Sequence, residues 1–214
     1  MEEQLARKEE RLNTVSHGIG VCLSIYGLIL LLQRSALFED WLYTASNVVF
    51  GVSFCLLYVS STLLHGARSP KWGKRFEKLD HAAIFIAMAG SYTPFLLITW
   101  HSRIAIELLI VIWALAFGGV RYVHVIIQRF MPWGLFMYLG MAAFMMLFII
   151  PLYVRLPHMA FAWLGLGLMS YLGGVPFFLW HKLRYHHTIW HLFVLAGSIC
   201  HFIAVYSYVM PALL

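Results

Sequence analysis

The segment HHTIWH at residues 186–191 places His187 and His191 four residues apart. In a helix that spacing sets two side chains on one face, one turn above the other. Two imidazoles so placed aim at a common point, as they do in helical zinc sites. The segment SSTLLH at 60–65 puts Ser61 four residues before His65, which offers a third ring nitrogen from another helix. Three histidines leave one position of a tetrahedral zinc ion open, the arrangement of a catalytic site rather than a closed structural one. Asp80 is the natural partner of a water in that position. The competing reading is ordinary: among 11 histidines some pairs fall four apart by chance, and interfacial histidines also snorkel or bond backbone carbonyls.

These residues can meet only if the chain brings them to one depth. Hydrophobic residues make up 62% of the 214-residue chain and charged residues 11%, against about a quarter charged in soluble domains. Such a chain cannot cover itself with polar surface, and a bilayer is its solvent. Seven runs are long and apolar enough to cross as helices: residues 15–33, 41–65, 80–100, 104–124, 133–153, 158–180 and 187–210. The expected fold is therefore all-α, an integral membrane bundle of seven transmembrane helices, with residues 1–214 forming one domain. The first run is too long for a signal-peptide core and reads as a permanent span. Cys22, Cys55 and Cys200 all lie in apolar runs, which suits neither a disulfide framework nor a cysteine zinc site.

The basic residues set the orientation. Arg7, Lys8 and Arg11 precede the first run, and Arg68, Lys71, Lys74, Arg75 and Lys78 follow the second. Arg121 and Arg129 follow the fourth, and Lys182 and Arg184 follow the sixth. The opposite side holds only Arg34, Arg103 and Arg155. This asymmetry puts the amino terminus in the cytoplasm and the carboxyl terminus outside. It also accounts for the net charge of +6 without a nucleic-acid partner. On this topology His65 closes the second span, Asp80 opens the third, and His187 and His191 open the seventh. Glu10, Asn13, Ser16 and His17 flank the start of the first. Four helices thus bring polar side chains to the cytoplasmic face, where ionisable groups within spans face the bundle interior. Gly165, Gly167, Gly173 and Gly174 favour close helix packing, and Pro94 and Pro176 favour kinks, with GGVP at 173–176 opening the sixth helix.

The stretches ERLNTVSHGIG (10–20), SSTLLH (60–65), FEKLDHAAIFIAMAGSYTPF (76–95) and HHTIWHLFVLAGSICHF (186–202) resemble the hemolysin III branch of the progestin and adipoQ receptor family of seven-span membrane proteins. The resemblance implies a zinc ion (Zn2+) near the cytoplasmic side, held by His65, His187 and His191. It also implies that Asp80 contacts the zinc through water and that Ser61 sits beside the site. Glu10, Asn13 and His17 match the family's first-span signature.

Three functions are compatible with these features. The first is a multi-pass cell-membrane hydrolase of lipid amides or esters, ceramide-like ones included, acting on a membrane lipid or fatty-acid-derived substrate. Zinc acidifies water and polarises a carbonyl, Asp80 orients or deprotonates that water, and Ser61 stabilises the oxyanion. The analogy with ceramidases is one of ligand pattern alone. The second is a receptor-like regulator of membrane lipid homeostasis in which zinc is structural, joining the second and seventh spans. The third is a pore, transporter or cytolytic protein, in which His201 carries a polar path deeper.

Overall fold

A helix suited to lipid at its outer face and polar chemistry at its inner one reverses the usual amphipathic pattern. Residues 13, 16, 17 and 20 recur at helical spacing, and Asn13, Ser16, His17 and Gly20 are all buried. Leu12, Val15, Ile19 and Leu23 face outward. In the computed structural model these residues share one helix, α1 (Glu2–Ser35). The structure describes residues 2–38, 40–129 and 131–210.

Six helical stretches among the described residues are long and apolar enough to cross a membrane. They belong to α1, α2 (Trp41–Gly66), α3 (Pro70–Pro94), α4 (Arg103–Arg129), α7 (His158–Leu179) and α8 (His186–Ala204). Large apolar side chains on all six point outward, including Leu56, Ile110, Phe117, Met169 and Leu192. The chain is a multi-pass membrane protein.

The apolar run at 133–153 is not a single helix. α5 (Met131–Ala143) passes into a 3₁₀ segment (Phe144–Phe148) and then into α6 (Ile149–Arg155). Pro151 has no amide hydrogen for the Leu147 carbonyl and disfavours α geometry just before it, so a proline suits the first turn of a new helix better than the middle of a long one. Hydropathy is blind to such a break.

Two helices start well before their apolar runs. α1 continues through the charged residues that precede its span. α3 begins at Pro70, a proline in the first turn where its missing donor costs nothing. Asp80 therefore sits about three turns inside α3, not at its opening. At the other end, Pro94 closes the α-helical part, and a π-helical stretch follows (Phe95–Trp100). The His101 amide, at φ 37°, closes it onto the Leu96 carbonyl at 3.1 Å. Pro176 leaves α7 helical throughout, GGVP included. α8 is reached through Tyr185, whose φ of 58° lies in the left-handed region, and it ends in a π-helical turn (Val205–Val209).

α1 packs against both α2 and α8, α3 packs on α2 and α4, and α7 packs on α8. α2 and α8 have no extended packing with each other. Hydrogen bonds tie the helices where no water is available. The Tyr58 hydroxyl donates to Ser198 Oγ at 2.7 Å, and Tyr171 shares that oxygen at 3.1 Å. Tyr92 donates to the Met141 carbonyl at 2.9 Å. Gly174 lets α7 close on α8: a Cβ there would stand 2.7 Å from Trp190 and 2.8 Å from Phe193. Gly167 similarly faces His201 and the Gly197 carbonyl, whereas Gly165 faces open space.

Candidate metal centre

α2 ends at the same level at which α8 begins, and both present histidines inward. The ring centroids of His65 and His187 are 5.0 Å apart, those of His65 and His191 5.0 Å, and those of His187 and His191 4.6 Å. One ring nitrogen from each lies within 4.8 Å of the others. Tetrahedral zinc holds its nitrogens at 2.0–2.1 Å, which puts them about 3.3 Å from one another.

The surroundings suit a cation. The Glu10 carboxylate of α1 lies 2.8 Å from His65 Nδ1. His65 Nε2 is buried and has no hydrogen-bond partner. A buried ring nitrogen without a partner is costly, and an ion at the centre of the triangle removes that cost. An all-imidazole donor set is one that zinc accepts readily.

Asp80 and Ser61 approach from α3 and α2. Both line a cavity of about 230 Å³ together with His17, His187 and His191. From the histidines the cavity continues between α3, α5, α7 and α8, past Leu57, Met88, Leu172 and Val194, as far as His201. His187 and His201 are separated by about 21 Å along α8. The walls are mostly apolar, with Tyr92, Tyr138 and Tyr171 among them. His201 itself bonds its own helix, Nδ1 to the Gly197 carbonyl at 3.0 Å, and stacks on Tyr171.

His17 stands apart from the other three. Its ring is stacked on His191 at 3.5 Å between centroids and 13° between planes, and it meets Tyr58 edge-on. An ion held by a ring nitrogen lies near that ring's plane. Two nearly parallel planes 3.5 Å apart share no such point close to both rings, so His17 and His191 cannot grip one ion together. Both ring nitrogens of His17 are buried and lack a hydrogen-bond partner, and they border the cavity.

Asn13 reaches α8, where its side-chain oxygen accepts from the Thr188 hydroxyl. Of the residues flagged by sequence, Ser61, Asp80, His17, His187 and His191 line one cavity, His65 forms a triangle with His187 and His191, and Asn13 and Glu10 reach Thr188 and His65. Two contacts had no sequence signal of their own. Glu9 accepts from the His187 backbone amide at 3.3 Å, and Thr188 takes part only through Asn13. Both follow from the helical extension of α1, which carries residues 9, 10, 13, 16 and 17 past α8 and α2.

Comparison with known proteins places these residues in a wider group. Residues 5–202 match a family model described as Haemolysin-III related. Hemolysin-3 of Bacillus cereus is 43% identical over 204 residues, covering 95% of this chain and 93% of the relative. A Hemolysin-3 homolog of Bacillus subtilis (strain 168) is 41% identical over 201 residues, covering 94% of each. The monocyte to macrophage differentiation factor of Homo sapiens is 28% identical over 207 residues, covering 94% of this chain and 84% of the relative.

Proposed function

The chain belongs to the Haemolysin-III related family, and on that premise we propose that it is a zinc-dependent hydrolase of lipid amides or esters, working at the cytoplasmic side of the membrane. One observation carries the reading: three inward histidines converge where a mostly apolar cavity begins, with a carboxylate and a hydroxyl beside them. When bound, zinc supplies Lewis acidity to a water and to a substrate carbonyl. His65, His187 and His191 would hold it. Asp80 takes the proton from the attacking water and passes it to the leaving group. Ser61 donates a hydrogen bond to the carbonyl oxygen as negative charge grows there. The cavity beyond, lined by Met88, Leu172, Val175 and Val194, holds the acyl chain and keeps bulk water from the reacting carbonyl.

This reading includes a topology. The helical stretch from α5 to α6, residues 131–155, is long enough to serve as a further crossing. That gives seven spans in a single domain, with the amino terminus cytoplasmic and the carboxyl terminus outside, in accord with the basic residues.

Incubating purified, zinc-loaded protein with a panel of lipid amides and esters tests the activity. The expected result is fatty-acid release that disappears in His65→Ala, His187→Ala and Asp80→Asn. A zinc-replete protein that turns over nothing in the panel moves the reading to a structural ion. That second reading, a receptor-like regulator of membrane lipids, draws support from the sparse direct packing between α2 and α8, which an ion would join. It predicts a large fall in melting temperature on chelation. The lytic activity suggested by the relatives' name, Hemolysin-3, predicts dye leakage from reconstituted vesicles.

A further inference from the structure

We infer that the amino-terminal turns of α1 are part of the metal centre, with Glu10 and Ser16 as positioning residues that fix which nitrogen of His65 and His191 faces the ion. The inference rests on the zinc reading and concerns how the site is built.

The hydrogen-bond contacts give each ring an assignment, through a carboxylate at His65 and a hydroxyl at His191. A carboxylate accepts and does not donate, so the Glu10 contact of 2.8 Å places the proton on His65 Nδ1. The lone pair is then on Nε2, the atom that is buried without a partner. At His191 the argument runs through a hydroxyl with a single proton. With that proton directed to the Asn13 carbonyl, an acceptor 3.0 Å away, Ser16 Oγ accepts from His191 Nδ1 at 3.1 Å. His191 is likewise left with its lone pair on Nε2. A single helix therefore sets the tautomer of two histidines that sit on two other helices. Hydrogen-bond partners of this kind orient liganding imidazoles and raise their basicity.

Two further contacts hold α1 in place for this task. Glu9 accepts from the His187 amide, and Asn13 accepts from Thr188. α2 and α8 pack against α1 far more than against each other, so the distance between His65 and the α8 histidines is set by their shared seat on α1. Charge points the same way. A doubly charged ion among three neutral imidazoles is expensive near hydrocarbon, and the Glu10 carboxylate against His65 and the Asp80 carboxyl lining the adjoining cavity offset that charge. Glu10 itself remains more than half exposed, at 56%, so replacing it by the isosteric amide leaves the packing of α1 intact.

Titrating metal-free, detergent-purified full-length protein with Co2+ and then Zn2+ tests the inference, comparing wild type, Glu10→Gln, Ser16→Ala and Glu107→Gln. Glu107 pairs with Arg103 at the far end of α4 and serves as the control. The expected result is that Glu10→Gln weakens metal affinity by about 10- to 100-fold and shifts the visible cobalt bands. Its metal-free melting temperature stays at the wild-type value, and Glu107→Gln changes nothing. Ser16→Ala shows a smaller loss in the same direction. A Glu10→Gln protein with wild-type affinity and an unchanged cobalt spectrum overturns the inference while leaving the zinc site standing. A wild-type protein that takes up neither metal overturns both.

Discussion

Ring orientation separates His65, His187 and His191 from His17. The three converge; the fourth is stacked on one of them. His191→Ala is therefore expected to abolish stoichiometric zinc, as read by elemental analysis of the purified protein. His17→Phe keeps the aromatic stack and retains one zinc per chain; loss of the ion in that variant would put His17 among the ligands. Asp80→Asn separates binding from catalysis. It is expected to keep its zinc and lose about 10²- to 10⁴-fold in hydrolysis, the usual contribution of a positioned acid–base group. A variant that loses the metal instead would make Asp80 a ligand. The histidine pair on α8 was legible from its spacing, and His65 and Asp80 from their common depth. The Glu10–His65 contact was not, because residues 2–12 read as a charged tail. The clue was present in the helical spacing of Glu10, Asn13 and His17, which puts all three on one side of a helix that starts well before its apolar run.

At the scale of elements, the helix ends are set by local chemistry that hydropathy does not register. Asp40 caps α2, its carboxylate accepting from the Leu42 amide at 2.9 Å. Asp40→Ala should cost about 1 kcal/mol, measured by thermal or denaturant unfolding in detergent; no change would mean that the cap is dispensable. Gly174 matters for the opposite reason, since a methyl group there meets Trp190 and the Cβ of Phe193. Gly174→Ala is expected to destabilise by about 1–3 kcal/mol through overpacking, whereas Gly165→Ala, facing open space, is tolerated. The sequence marked both glycines alike, because composition shows a small residue but not what faces it. It also marked 133–153 as one span, since an apolar run looks the same whether it is one helix or two joined by a 3₁₀ turn. The early starts of α1 and α3 were hidden by charge, which ends an apolar run but does not end a helix.

Taken as a whole, the molecule is a set of apolar helices around a cavity whose polar end lies where α1, α2, α3 and α8 meet. Class and solvent were readable from composition, and the meeting of His65, His187 and His191 from their places at the ends of two apolar runs. What was not readable was that α1 mediates between α2 and α8, since no residue pattern tells which helices are neighbours. The proposed orientation predicts that a reporter active only outside the cytoplasm is active when fused after residue 210 and silent when fused before residue 2; the reverse pattern would invert the topology. The central claim is the histidine-bound ion itself. X-ray absorption at the zinc edge of the purified wild-type protein tests it most directly. The expected spectrum has three imidazole nitrogens at about 2.0–2.1 Å and one further oxygen. A protein that purifies without zinc, or zinc held by fewer than three imidazoles, would contradict it.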